Sequence, residues 1–124
     1  MAYPALPHDH GGKVEQVCEH MPSTVELQTV SEVFKLMDDP SRMRIFWLLC
    51  HCEECVINIS AAVEMSSPAV SHHLRHLKNG GLINSRREGK EVYYKASDTP
   101  AARLLHHAIE ELVEITCPDG AGRA

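Results

Sequence analysis

The chain has 124 residues, of which 44% are hydrophobic and 23% charged, and its net charge is −5. This length and apolar content fit one folded domain and exclude a chain that is disordered throughout. The apolar runs are far shorter than the roughly 20 residues of a membrane span, and the first residues lack the basic and apolar regions of a secretory signal. We therefore expect a cytoplasmic protein with no membrane partner. Its five cysteines are then expected to be thiols for metal or redox chemistry rather than disulfides.

The net charge conceals a basic region in the middle of the chain. Residues 1–40 contain two lysines and seven acidic residues, whereas residues 66–95 contain six lysines and arginines and only two acidic residues. Histidines at positions 72, 73 and 76 lie in the same basic region. A locally positive surface on an acidic protein indicates where a polyanion docks.

Changes of pattern predict three regions along the chain. Prolines and glycines interrupt any regular pattern before residue 23, which indicates a flexible N-terminal arm over 1–22. Regular apolar patterns follow one another over 23–117, the predicted folded domain. A short mobile tail is predicted over 118–124.

Helix signals follow in chain order within the predicted domain. Ser23, with a glutamate three residues later, is typical of a capped helix start. Asp39-Pro40 ends that helix, and Ser41 is the predicted cap of the next one. After a short helix and a turn, Ser67 followed by a proline is a strong helix start, and Gly80-Gly81 is predicted to end this helix.

Two strands and a last helix complete the pattern. Residues 82–86 and 91–95 have the composition of strands, and 87–90 is a turn, which predicts a β-hairpin. Thr99-Pro100 begins a last helix, whose apolar stripe runs over 104–115. The predicted fold class is mostly α with a small β-hairpin. Two short helices followed by a basic ribbon are typical of a winged helix-turn-helix.

The predicted recognition helix begins with side chains that are short enough to approach base edges in a major groove. A helix N-terminus also favours phosphate, and the basic hairpin tip can reach a neighbouring minor groove or its phosphates. The candidate DNA-binding residues are Ser66, Ser67, Ser71, His72, His73 and Arg75 on the helix, and Arg86, Arg87 and Lys90 on the hairpin. The histidines are open to two roles, DNA contact or packing.

Three motifs stand out in the sequence: residues 39–45 (DPSRMRI), residues 71–77 (SHHLRHL) and residues 87–94 (REGKEVYY). In that order, they resemble a signature, the recognition helix and the wing of the ArsR/SmtB repressors. The resemblance covers roughly residues 25–117. It implies a homodimer, joined through the first and last helices, that binds operator DNA and releases it when a metal ion binds.

The resemblance also implies a metal site near the start of the helix before the recognition helix. Arsenic and cadmium sensors of the family carry Cys-Val-Cys-Asp there, whereas this chain reads Cys-Val-Ile-Asn from Cys55, so only the first thiol is matched. Cys52 and Cys55 have the spacing at which two thiolates bind one ion from a single turn. Cys50 is a further candidate, with core packing as its alternative. Relatives complete the site from the N-terminal arm, where Cys18 and His20 lie.

A thiolate-rich site of this kind favours a soft metal effector, which makes Cd(II), Zn(II), Pb(II) and As(III) the candidates. The family's second site, on the last helix, is degraded here. It keeps Asp98, but Glu111 and Glu114 stand where imidazole ligands are wanted. Three carboxylates without imidazole make a poor zinc site. His8 and His10 are the weakest candidate ligands.

Other functions stay open on the residues alone. A redox or persulfide sensor of the same fold would pair Cys50 or Cys52 with Cys117. A metal-buffering protein that binds no DNA and a thiol enzyme are further alternatives. No nucleophile motif, phosphate-cradling glycine loop or metalloprotease motif is visible, so we do not expect an enzyme.

Overall fold

Six helices and three short strands make up residues 5–118, the part of the chain that the computed structural model describes. In chain order they are α1 (Val14–Cys18), α2 (Thr24–Leu36), α3 (Pro40–His51), β1 (Glu54–Cys55), α4 (Val56–Val63), α5 (Ser67–Asn79), β2 (Ile83–Glu88), β3 (Glu91–Ala96) and α6 (Pro100–Thr116). Of the tail predicted over 118–124, only the first residue lies within the described part.

The N-terminal segment contains more regular structure than its sequence predicts, because α1 forms inside the predicted arm. α2 begins as predicted. Ser23 Oγ accepts a hydrogen bond from Glu26 N at 3.1 Å, and Glu26 Oε1 accepts one from Ser23 N at 2.8 Å. The chain divides into two compact units between Glu32 and Val33. No residue of α2 is buried.

Two helices begin slightly earlier than their sequences predict. Asp39, not Ser41, caps α3, since its carboxylate accepts a hydrogen bond at 3.0 Å from the backbone N–H three residues later. Ser66, not Ser67, caps α5 in the same way, at 3.3 Å. Each helix has a proline in its first turn. A backbone N–H at this place has no hydrogen-bond partner within the helix, so the N–H that proline lacks is not needed there.

The predicted hairpin is part of a three-stranded antiparallel sheet with the order β1-β3-β2. β2 and β3 pair along their whole length, and Gly89, with a φ of 63°, opens the two-residue turn between them. β1 is a strand that the sequence pattern does not predict. It places Glu54 opposite Tyr94 and Cys55 opposite Tyr93, which joins the cysteine-bearing segment to the hairpin.

One hydrophobic core supports the three helices that precede the hairpin. Its buried members are Met37, Ile45, Phe46, Leu49, Ile59, Val63, Val70, Leu74, Leu77, Leu82, Ile83 and Ala102. Most come from α3, α4 and α5, and the others are Met37 after α2, Leu82 and Ile83 around the start of β2, and Ala102 in α6. Because α4 and α5 share this core with α3, the core fixes the position of the helix-turn-helix.

Two helices carry large apolar side chains that remain exposed. These are Val25, Leu27, Val30 and Phe34 on α2, and Leu104, Leu112 and Ile115 on α6, each between 48% and 70% exposed. Apolar faces of this kind are typical of protein interfaces. Over residues 5–118, no helix combines the length and apolar character that crossing a membrane requires.

Candidate DNA interface and metal-binding loop

Hydrogen bonds fix the turn between α4 and α5. Glu64 ends α4 in the left-handed conformation, with a φ of 54°, and Met65 N donates to the Ser60 carbonyl at 3.1 Å. The hydroxyls of Ser60 and Ser67 lie 3.2 Å apart and link the two helices. The predicted contact residues Ser66 and Ser67 are exposed at this helix N-terminus, although each hydroxyl also takes part in the fold.

The outer face of α5 presents polar side chains of the kind that a recognition helix uses. His72 and Arg75 are exposed, and the ring of His76 packs edge-on against His72 at 4.6 Å between centroids. Ser71 is half-buried beside them. Partial desolvation and nearby cations lower the pKa of His76. Its neutral ring can therefore accept a hydrogen bond as well as donate one.

His73 belongs to the core, which corrects its prediction as a DNA contact. It is 8% exposed, and its Nδ1 accepts a hydrogen bond from Arg42 Nε at 3.2 Å. Arg42 also donates to the Leu36 carbonyl at 3.4 Å, so this signature residue ties α5 to the end of α2. Burial, partly offset by Asp39, lowers the pKa of His73, and the neutral ring is the form that accepts from a guanidinium.

Arg86, a predicted DNA contact, is held on two sides by carboxylates. Its guanidinium donates to both carboxylate oxygens of Glu53 at 2.7–3.0 Å and to Glu88 Oε2 at 2.9 Å. It also lies 4.9 Å from the centroid of the Tyr93 ring. The hydrogen bonds from Arg86 lower the pKa of Glu53. Arg86 therefore connects the hairpin to the segment before β1.

Arg87 and Lys90 lie at the exposed end of the hairpin, as predicted. Arg87 Nε donates to the Gly89 carbonyl at 3.3 Å, which leaves the rest of its guanidinium turned towards solvent. Lys78 Nζ donates to Ser85 Oγ at 2.7 Å and links α5 to β2. Exposed cations therefore lie on both α5 and the hairpin.

The segment with Cys52 and Cys55, here called the cysteine loop (residues 52–55), is joined to the wing at two points. Cys55 pairs with Tyr93 in the sheet, and Glu53 binds Arg86 through two oxygens. Cys52 is exposed and Cys55 is half-buried at the start of α4. The structure therefore places both predicted thiols on one short loop that continues directly into the helix-turn-helix.

A carboxylate lies beside Cys55 even though Asn58 stands where related sensors have an acid. Glu54 Oε2 accepts hydrogen bonds from Cys55 N at 3.2 Å and from Asn58 Nδ2 at 2.8 Å. The sequence pattern does not single out Glu54, although its two partners are the next residue and the residue four positions later.

The other cysteines lie in separate surroundings, and every cysteine is a free thiol. Cys50 packs against the core, where burial raises the pKa of its thiol to about 11, with a further contribution from Glu110. This agrees with the packing role that its sequence left open. Cys117 follows α6 and Cys18 ends α1, both half-buried, and His20 is exposed.

Residues of the degraded site on the last helix make other contacts in the described chain. Asp98 forms an ion pair with Arg103, and Glu111 lies 3.9 Å from His107 one helical turn away. Within the described part of the chain, neither these two carboxylates nor Glu114 belong to a group of three converging metal ligands.

Comparison with known proteins finds relatives along most of the chain. The family model of the bacterial regulatory proteins of the arsR family matches residues 39–85. A transcriptional repressor SmtB homolog from Synechocystis sp. is 36% identical over 105 residues, which cover 85% of this chain and 80% of that protein. A cadmium resistance transcriptional regulatory protein CadC from Listeria innocua is 35% identical over 107 residues, covering 86% and 89% of the two chains.

A solved structure supports the same assignment. It is the homodimeric winged helix-turn-helix DNA-binding domain of a possible ArsR-family transcriptional regulator from Mycobacterium bovis. That domain matches with a TM-score of 0.67 and 32% identity, covering 76% of this chain and 90% of that one. The predicted winged helix-turn-helix fold is confirmed, and the chain belongs to the ArsR family of bacterial regulatory proteins.

Proposed function

We propose that the chain is a homodimeric transcriptional repressor that releases operator DNA when a soft metal ion binds to its cysteine loop. The observation that carries the proposal is the joining of this loop to the wing, through the pairing of β1 with β3 and the Glu53–Arg86 ion pair. The names of two relatives, a SmtB-type repressor and a cadmium resistance regulator, support the same function.

The DNA contacts are assigned to the N-terminal half of α5 and to the end of the hairpin. Ser66, Ser67 and Ser71 approach base edges, while His72 and Arg75 reach bases or phosphates from the exposed face. Arg87 and Lys90 bind phosphates of the neighbouring groove. The exposed apolar stripes of α2 and α6 supply the dimer interface, which sets the spacing of two recognition helices.

The metal ligands are assigned to Cys52 and Cys55, with Cys18 and His20 as further candidate ligands from the N-terminal segment. Thiolates are soft donors and favour Cd(II), Pb(II), Zn(II) or As(III) over Mg(II) or Mn(II). Cys50 is left out of the set because it packs against the core. Binding of both thiolates to one ion constrains the conformation of the loop. The constraint extends to β1 and to the start of α4, because the loop contains the first and continues into the second.

Neutralising the hairpin tip tests the DNA-binding half of the proposal. R87Q and K90Q are each expected to weaken binding to a duplex from the upstream region of the protein's own gene. Each is also expected to reduce the slope of log K against log salt by about 0.9 for every phosphate that the variant no longer neutralises. The measurement is fluorescence anisotropy across a salt series. R103Q, which removes the same charge from α6, is the control. A hairpin variant that binds like R103Q contradicts the assignment.

Removing the link between loop and wing tests how the metal signal travels. E53Q is expected to bind Cd(II) alone and DNA alone nearly as the parent does, but to show weaker coupling between the two ligands. Because Glu53 and Arg86 are partly exposed, the loss is expected to be no more than about fivefold in the coupling ratio. E88Q is the control. It removes the other carboxylate that binds Arg86, and Glu88 belongs to the hairpin rather than to the loop. Equal losses in both variants would argue against a path through Glu53.

A further inference from the structure

Three potential metal ligands converge where the end of α3 meets α6. His51 is the last residue of α3, and His106 and Glu110 lie one turn apart on α6. His51 Nε2 is 3.1 Å from His106 Nε2 and 4.0 Å from Glu110 Oε1, and His106 Nε2 is 2.7 Å from the same oxygen. Across residues 5–118, this is the place where three ligand atoms of His, Cys, Asp or Glu come together within 4.8 Å.

Hydrogen bonds among these three atoms do not satisfy all of them at once. A neutral imidazole carries a single N–H, and an ionised carboxylate only accepts. When His106 Nε2 donates to Glu110, it has no lone pair left for His51. His51 Nε2 must then share the same hydrogen or point its own N–H at another N–H. When both Nε2 atoms are unprotonated, two imidazole lone pairs and a carboxylate oxygen converge, and a bound cation stabilises that arrangement.

The separations suit a transition-metal ion. Zinc holds imidazole nitrogens and carboxylate oxygens at about 2.0–2.2 Å, so adjacent ligands of a tetrahedron stand about 3.3–3.5 Å apart. The three measured separations lie on both sides of this value, from 2.7 to 4.0 Å. The side chains of His51, His106 and Glu110 are 45%, 27% and 49% exposed, so they can adjust and leave a fourth position open to water.

We propose that His51, His106 and Glu110 bind a divalent ion of the zinc, cobalt or nickel class, at a site separate from the cysteine loop. Two imidazoles and one carboxylate are borderline donors, which suit these ions better than the soft ions that thiolates select. The site joins α3, which packs in the core, to α6, which has an exposed apolar stripe. It goes beyond the proposed function and does not depend on the thiols.

Trp47 provides a built-in reporter for this site. It is the only tryptophan in the chain, and its ring lies 4.3 Å from the ring of His51, between centroids. A paramagnetic ion bound to His51 therefore lies close enough to quench the fluorescence of Trp47. Co(II) adds a second signal, because its visible absorption reports the ligands that surround it.

The test is a Co(II) titration of the full-length C52S/C55S protein, which removes the thiolates of the loop. Saturable quenching of Trp47 with one ion per chain is expected, together with visible Co(II) absorption that lacks the near-ultraviolet thiolate band. H106Q and E110Q are each expected to weaken Co(II) binding by about tenfold or more, since losing even an indirect partner of a ligand costs about that much.

H107Q is the matched control, because His107 neighbours His106 and faces Glu111 at 3.9 Å in a similar helical pair. It is expected to leave Co(II) affinity within about twofold of the parent. All three side chains are at least partly exposed, so the variants keep the fold, which circular dichroism checks. Equal affinity in the parent and H106Q overturns the site, as does an equal loss in H107Q.

Discussion

The double variant C52S/C55S is expected to lose its response to Cd(II) while still binding DNA. Cys52 and Cys55 supply the only thiolates on the loop that is joined to the wing. Serine hydroxyls do not replace thiolates as ligands for a soft ion. Because loss of an indirect partner already costs about 10- to 100-fold in metal affinity, losing both direct ligands is expected to cost at least about 100-fold.

The measurement is a Cd(II) titration of reduced protein, followed by thiolate charge-transfer absorbance in the near ultraviolet. C117S is the control, because Cys117 is a half-buried free thiol that follows α6 and is not part of the loop. It is expected to behave like the parent. A Cd(II) response that survives in C52S/C55S and disappears in C117S would instead place the metal ligand after α6 and contradict the assignment to the loop.

I59A is expected to lower the free energy of unfolding by about 2–5 kcal/mol, since it opens a cavity at a site that is fully buried. Ile57 lies on the same helix, α4, but is 68% exposed. I57A is therefore expected to change stability by no more than about 0.5 kcal/mol. Denaturant unfolding of both variants without metal, at one protein concentration, compares the same chemical change in two environments.

The comparison of I59A with I57A also tests how the helix-turn-helix is positioned. Ile59 belongs to the core that α3, α4 and α5 share, so its loss is expected to weaken DNA binding as well as stability. Equal stability losses in I59A and I57A would mean that α4 does not pack as described.

Local signals predict most of the helices and the hairpin, because those signals act over a few residues. The Ser23–Glu26 capping box is one example, and the start of α6 after Thr99 is another, since the Thr99 hydroxyl accepts from Ala102 N at 3.2 Å. The two cap errors arise where several short polar residues precede a helix. Asp39 competes with Ser41, and the chain selects the residue whose side chain reaches the third N–H.

Features that depend on distant parts of the chain escape the sequence pattern. A two-residue strand has no alternation to detect, so β1 emerges only from its pairing with Tyr93 and Tyr94. Helical periodicity alone does not bury His73, because its position depends on Arg42 from another helix.

The cluster of His51, His106 and Glu110 could not be predicted from the sequence pattern for the same reason. His51 is 55 residues from His106, and only the packing of α3 on α6 brings it to His106 and Glu110. The cysteine spacing, by contrast, is local, and the sequence predicts where those thiols lie.

The most direct test follows DNA release and metal binding in one sample. Reduced protein is bound to a fluorescent operator duplex and titrated with Cd(II), while anisotropy and near-ultraviolet absorbance are recorded together. The proposed function predicts that anisotropy falls as the thiolate band rises, with the same midpoint, and that C55S loses both changes. A thiolate band that saturates while the DNA stays bound, or a release that persists in C55S, would contradict it.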